Sequence, residues 1–159
     1  PLLQATLGGG AVTVTPPPGY CIDPQSLKPR FVLMARCDTL GGPEPDTPAP
    51  LSVFTLAIVP TEPDAPLPTP QAIAEALDLT QISEVGGSDE ITIFVAEGSV
   101  PAVGMSGRHW RGMAQITGYL VSAALYGAPQ SRALSDEGRA LLVTLIRQIR
   151  PRGAGAAAG

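Results

Sequence analysis

The stretch from His109 to Tyr126 constrains the fold most. It reads His-Trp-Arg-Gly-Met-Ala-Gln-Ile, then Thr-Gly, then Tyr-Leu-Val-Ser-Ala-Ala-Leu-Tyr. Alternation on both sides of a Thr117-Gly118 pair is the pattern of a β-hairpin. One register sorts the side chains cleanly. If Ile116 faces Tyr119, then Ala114 meets Val121, Gly112 meets Ala123 and Trp110 meets Leu125. These eight residues are apolar or small and share one face, whereas His109, Arg111, Gln115, Ser122 and Tyr126 share the other.

Further strands are expected at Ala11–Thr15, Phe31–Cys37, Leu51–Val59 and Glu90–Ala96. Pro16-Pro17-Pro18-Gly19 stops the first, because proline cannot donate to a ladder. Gly86-Gly87-Ser88 reads as a turn. Two proline-rich stretches, 41–50 and 61–70, read as surface loops in a chain with 18 prolines and 18 glycines. Thr69 has the character of an N-cap, with Pro70 at the first helical position and Gln71–Leu79 as a short helix. Ser135 caps a second helix running to about Arg150, with Asp136 and Glu137 complementing the helix dipole. Its apolar stripe is Leu141, Leu142, Leu145, Ile146 and Ile149, and Arg139, Arg147 and Arg150 lie near a different, common face.

Strands, helix, strands, helix in that order imply an α+β fold, an antiparallel β-sheet with helices packed on it. At 159 residues the chain fits one domain, expected over 11–150. Residues 1–10, with Gly8-Gly9-Gly10, read as a flexible lead-in, and 151–159 as a disordered Gly/Ala tail.

Cys21 and Cys37 are the only cysteines. Joined, they close a loop of about 15 residues, worth roughly 3 kcal/mol, and such a bond persists only in an oxidising compartment. Two buried thiols are the other reading. The spacing is not Cys-x-x-Cys, and two Cys with one His do not supply a zinc site. The chain opens Pro1-Leu2-Leu3-Gln4, without Met or a basic start, which suggests that a signal peptide or membrane anchor has been removed.

Net charge is −4, unevenly spread. From Cys37 to Gly107 there is no Lys or Arg, while 11 acidic residues fall there. If folding keeps the signs apart, an acidic and a basic face result, which suits docking to a charged protein. An acidic total without an aromatic-basic patch argues against nucleic acid.

The strand Glu90–Ala96, the hairpin Trp110–Tyr126 ending in Ala124-Leu125-Tyr126-Gly127, and the closing amphipathic helix Ser135–Arg150 together resemble the PsbP-like fold. That group takes in small lumenal photosystem proteins, a Ran-binding nuclear import factor, and exported bacterial lipoproteins of the DcrB type. The resemblance covers about residues 50–150 and rests on order and pattern. It implies an α/β/α sandwich and an accessory role, and it carries over no functional residues. The cysteine pair and the proline-rich insertions lie outside the pattern.

Catalytic motifs are absent. His109, the sole histidine, would have to serve any triad, and no Gly-x-Ser-x-Gly elbow accompanies it. Gly8-Gly9-Gly10 lacks the Lys-Ser/Thr of a phosphate loop. Gly86-Gly87-Ser88-Asp89-Glu90 lacks calcium-loop spacing. Trp110, the only tryptophan, reads as core on the apolar face or as a partner-binding anchor. Arg139, Arg147 and Arg150 read as a solvated helix side or as a docking surface for an acidic partner or anionic headgroups.

The function expected is therefore an exported, periplasmic or otherwise extracytoplasmic, non-enzymatic accessory or binding protein. It would dock to a larger membrane-associated protein assembly through Arg139, Arg147, Arg150 and Trp110. The missing N-terminal segment leaves room for a membrane tether. No cofactor or metal is expected. The alternative is a small-ligand receptor or enzyme using the sheet face around His109 and Arg111.

Overall fold

The computed structural model describes residues 1–152. In chain order the elements are β1 (Ala5–Leu7), β2 (Val12–Val14), β3 (Tyr20–Ile22), β4 (Phe31–Arg36), β5 (Ser52–Pro60), α1 (Pro70–Leu77), β6 (Thr80–Gly87), β7 (Ile91–Glu97), β8 (Arg108–Ile116), β9 (Tyr119–Gly127), α2 (Asp136–Arg147) and β10 (Arg150–Pro151).

The β8–β9 hairpin has the expected register: Ile116 opposite Tyr119, Ala114 opposite Val121, Gly112 opposite Ala123 and Trp110 opposite Leu125. Thr117 (φ 46°) and Gly118 (φ 76°) are both left-handed, as the tight hairpin turn matching strand twist requires. The hairpin sits inside a seven-stranded sheet of order β3-β4-β5-β9-β8-β7-β6, antiparallel at every pairing.

Alternation sends successive side chains to opposite faces. On one face Trp110, Ala114, Val121, Ala123 and Leu125 meet Leu142, Leu145 and Ile146 of α2 in the larger core. A second sheet, β1-β2-β10, closes over the same core with Leu7, Val12 and Val14. On the other face Phe94, Ala96 and Met113 meet Ile73 and Ala74 of α1. The result is the α/β/α sandwich of an α+β fold.

Both helices start as the sequence indicates. The Thr69 hydroxyl accepts from the Ala72 N–H at 3.1 Å, with Pro70 following. The Ser135 hydroxyl accepts from the Glu137 N–H at 3.2 Å. The Trp110 indole N–H donates to the Ser135 carbonyl at 3.0 Å, tying β8 to the start of α2. Directly under α2 lies Gly112. A Cβ there would stand 2.6 Å from Ile146 Cδ1 and 2.9 Å from Ile93 Cδ1, so glycine sets how closely helix and sheet approach.

Four expectations need correction. Ala5–Leu7, within the expected flexible lead-in, is β1, because Ala5 and Leu7 bury themselves beside β2. The second helix ends at Arg147, and Arg150–Pro151 pair with Thr13 and Val12, so Pro151 belongs to a strand and not to the tail. The rest of that tail, 153–159, lies outside the described residues. Strand β6 occupies residues 80–85, to which the sequence pattern assigns no element, and takes in Gly86 and Gly87 of the expected turn. Its left-handed Gln81 and Glu84 and its register shifts break the alternation, which is one way an exposed edge is kept from pairing further. The short edge strand β3 also went unread.

Cys21 and Cys37 form a disulfide. Cys21 lies in β3, and Cys37 opens the turn that follows β4, so the bond fastens a three-residue edge strand to its neighbour. Beside it, the buried Tyr20 hydroxyl donates to the Pro50 carbonyl at 2.6 Å and accepts from Ser52 Oγ at 3.2 Å, anchoring the end of loop 41–50.

Two measurements follow from this packing. Replacing both Cys21 and Cys37 with Ser should lower the free energy of unfolding by about 3 kcal/mol in a denaturant titration, and the oxidised protein should show no titratable thiol when denatured. Gly112→Ala should lower stability by about 1–3 kcal/mol, because the tips it would displace belong to buried, close-packed isoleucines. An unchanged midpoint would mean that α2 can ride upward freely.

Candidate functional site

The face of β8 turned away from α2 carries His109, Arg111 and Met113, and β9 adds Tyr126 beside them. His109 is 1% exposed. Its Nδ1 lies 2.7 Å from the Gly107 carbonyl, and its Nε2 accepts from Arg111 Nε at 3.0 Å. A guanidinium can only donate, so Nε2 holds a lone pair and the ring proton sits on Nδ1. The ring also stacks on Tyr126, with centroids 4.4 Å apart. Burial, with a contribution from the Arg111 charge, pushes the His109 pKa down from 6.5 to about 4. The imidazole is thus neutral with both nitrogens engaged, a poor starting point for a general base.

Arg111 is half-buried. It donates through Nε to His109 and through one terminal nitrogen to the Tyr126 hydroxyl at 3.0 Å. No carboxylate among the described residues pairs with it. Burial lowers its pKa, and Tyr126 opposes that shift. A guanidinium nonetheless stays protonated, so a fixed positive charge stands here without a counter-ion.

That charge borders a cavity of about 490 Å³. Helix α1 packs on β6 and β7 and against Met113 of β8, with Leu120 of β9 at the margin of the same cluster. The floor left bare is Phe31, Thr55, Ala57, Val59, Leu120 and Ser122, and the wall is formed by Pro68, Ala72, Ile73, Ala76 and Leu77. Its depth has a simple origin. Ala57 lies opposite Ser122 between the taller Phe31 and Met113, and Thr55 lies opposite Ala124 between Leu33 and Arg111, so two adjacent cross-strand pairs of small side chains are flanked by larger ones. The face beside Arg111 is therefore a groove, and neither His109 nor any acidic residue is in its lining. Tyr126 is the member of the cluster whose role the sequence did not indicate, although its place on the hairpin face was legible. The recess was signalled only by the small residues alternating along β5 and β9.

The other singled-out residues lie elsewhere. Trp110 is 2% exposed and bonded to α2; its ring belongs to the core and offers no surface anchor. Arg139 and Arg147 are on α2, half-buried and exposed respectively, but Arg150 has left the helix for β10, so the three do not form one helical stripe. Arg147 borders a shallow hollow that Asp89 and Glu90 also line. Among the described residues no three His, Cys, Asp or Glu gather as a metal site, and no helix is long and apolar enough to cross a membrane.

Exposed apolar residues mark a further surface. Val103 is fully exposed and Val100 40% exposed in the loop between β7 and β8, and Leu51 is 60% exposed at the start of β5. Leu51, Val103 and Met105 share a recess with Arg36 and Arg132 at its rim, at the N-terminal end of α2.

No protein family and no curated protein matches the sequence. Solved structures do. The Ran-binding protein Mog1p of Saccharomyces cerevisiae superposes with a TM-score of 0.58 at 11% identity, covering 93% of this chain and 94% of that one. A point mutant of Mog1 gives 0.59 at 11% identity over the same shares. The solution structure of PsbP from the cyanobacterium Synechocystis aligns over 93% of this chain and 91% of that one, at 13% identity and a TM-score of 0.46. At such identities the likeness is one of fold: the chain shares the α+β fold of Mog1p, a Ran-binding protein of the kind included in the group that the order of elements resembles.

Because His109 is the only histidine, its ring can be followed by NMR without ambiguity. Its midpoint should lie near 4, and its neutral form should carry the proton on Nδ1. The sign of the linkage follows: above about 6.5 both folded and unfolded states are neutral here and stability is complete. Between 6.5 and 4 only the unfolded state takes up a proton, so stability falls with pH, by on the order of 3 kcal/mol in all. A midpoint near 6.5 would show that the ring is solvated.

Proposed function

We propose that this chain is an extracytoplasmic, non-enzymatic binding protein that docks to a larger, membrane-associated protein assembly. The observation that carries the reading is the apolar loop tip: Val103 fully exposed, with Leu51 and Val100 open to solvent nearby. Scattered apolar residues are ordinary, but two of these share a recess with Met105 inside a basic rim, which is how a contact surface is commonly built. Two further facts support it. The one histidine has both ring nitrogens engaged, so it is ill-placed to serve a nucleophile. The disulfide fits an oxidising compartment. The Ran-binding activity named for Mog1p is compatible with a partner-binding use of the same fold.

Arg36 and Arg132 at the rim are already paired with Asp38 and Glu137, so they contribute orientation more than net charge. Arg139 stands in the first turn of α2 beside Gly86, whereas Arg147 and Arg150 lie at the end of α2 and in β10, and on this reading these arginines meet an acidic partner or anionic headgroups.

The test is capture from detergent-solubilised membranes of the native source, with the protein tagged and partners quantified. A partner at near-equal amount is expected, lost with Val103→Asp or Leu51→Asp and weakened by added salt with Arg147→Glu. Absence of a stoichiometric partner, or capture indifferent to all three substitutions, would overturn the docking reading.

A further inference from the structure

The groove beside α1 has features that the docking surface does not explain. It is concave, of a size typical of small-molecule sites, and lined mainly by aliphatic and aromatic side chains. Its polar groups are few: the Thr55 and Ser122 hydroxyls and the Arg111 guanidinium. Arg111 is held in place by His109 and Tyr126, which leaves one terminal nitrogen without a protein partner among the described residues. A fixed cation that lacks a counter-ion beside an apolar channel is complementary to a molecule with an apolar body and an anionic end.

We infer that this groove binds a monoanionic amphiphile, an aliphatic or aromatic chain ending in a carboxylate, with Arg111 as the headgroup residue and the floor around Ala57 as the chain site. Charge count selects a carboxylate over a phosphate dianion, because the lining contains one cation and no second Lys or Arg. Geometry agrees: a guanidinium already oriented by two hydrogen bonds loses little freedom on meeting a carboxylate oxygen. His109 and Tyr126 are positioning residues here, acting through Arg111. The inference does not depend on the docking reading, which concerns the loop tip and α2.

The experiment is calorimetric titration of the intact oxidised protein with dodecanoate, 1-dodecanol and dodecyltrimethylammonium, each below its aggregation threshold and at low ionic strength. Dodecanoate should bind one equivalent, and the trimethylammonium should bind at least about tenfold more weakly, a gap of about 1.4 kcal/mol. Ala57→Phe, which fills the floor, should abolish binding of all three. Arg111→Gln should weaken dodecanoate about tenfold and leave dodecanol unchanged. Should Arg111→Gln fold poorly, the headgroup series on the unaltered protein and on Ala57→Phe still decides. No saturable dodecanoate binding, equal affinity for all three headgroups, or binding that survives Ala57→Phe would overturn the inference.

Discussion

The register of the β8–β9 hairpin is the constraint on which the rest depends. Side chains alternate along a strand, so a slip of one residue would turn the apolar face of one strand toward the polar face of the other. The left-handed pair Thr117 and Gly118 excludes that slip. With the register fixed, Trp110, Ala114, Val121 and Leu125 point to α2, and Gly112 admits the helix at close range. By the same alternation His109, Arg111 and Met113 are sent to the opposite face, beneath α1 and the groove. One turn therefore assigns the large core to one side of the sheet and the polar cluster to the other.

That polar cluster is arranged to hold a charge, not to move a proton. A buried imidazole beside a guanidinium would be costly if both were ionised, and the conflict is resolved by keeping His109 neutral and using its lone pair to orient Arg111. The histidine acts as a strut. Tyr126 stacks on the strut and takes a second guanidinium hydrogen bond, so the positive charge is immobile before anything binds. Such preorganisation serves recognition.

Much of this was legible in the sequence, and the failures have physical causes. Regular alternation read correctly at β5, β7, β8 and β9, where burial on one face is strong. Both helix starts were visible because Thr69 and Ser135 cap by short-range chemistry. The disulfide was one of two open readings, settled by the proximity of β3 and β4. Strands β1, β3 and β10 were missed because two or three residues carry too little periodicity, and β6 because its bulges destroy it. The groove was missed for another reason. It is made by what α1 fails to cover, and a segment's own sequence does not state the extent of a neighbour's shadow. The expected arginine stripe assumed a helix one turn longer than α2, and β10 took its last member.

The pairing of β2 with β10 has a consequence for how the molecule is completed. Thr13 and Arg150 are partners, so the small sheet joins the beginning of the chain to its end. The seven-stranded sheet pairs mostly neighbours in sequence and can form piecemeal. The small sheet requires the longest loop closure among the described residues. Without β10, the side of β2 that carries the Thr13 and Val12 pairings would be open, beside the core that Val12 and Val14 help to form. Loss of β10 would therefore leave an unfinished sheet edge, the kind of surface that quality control and aggregation both recognise.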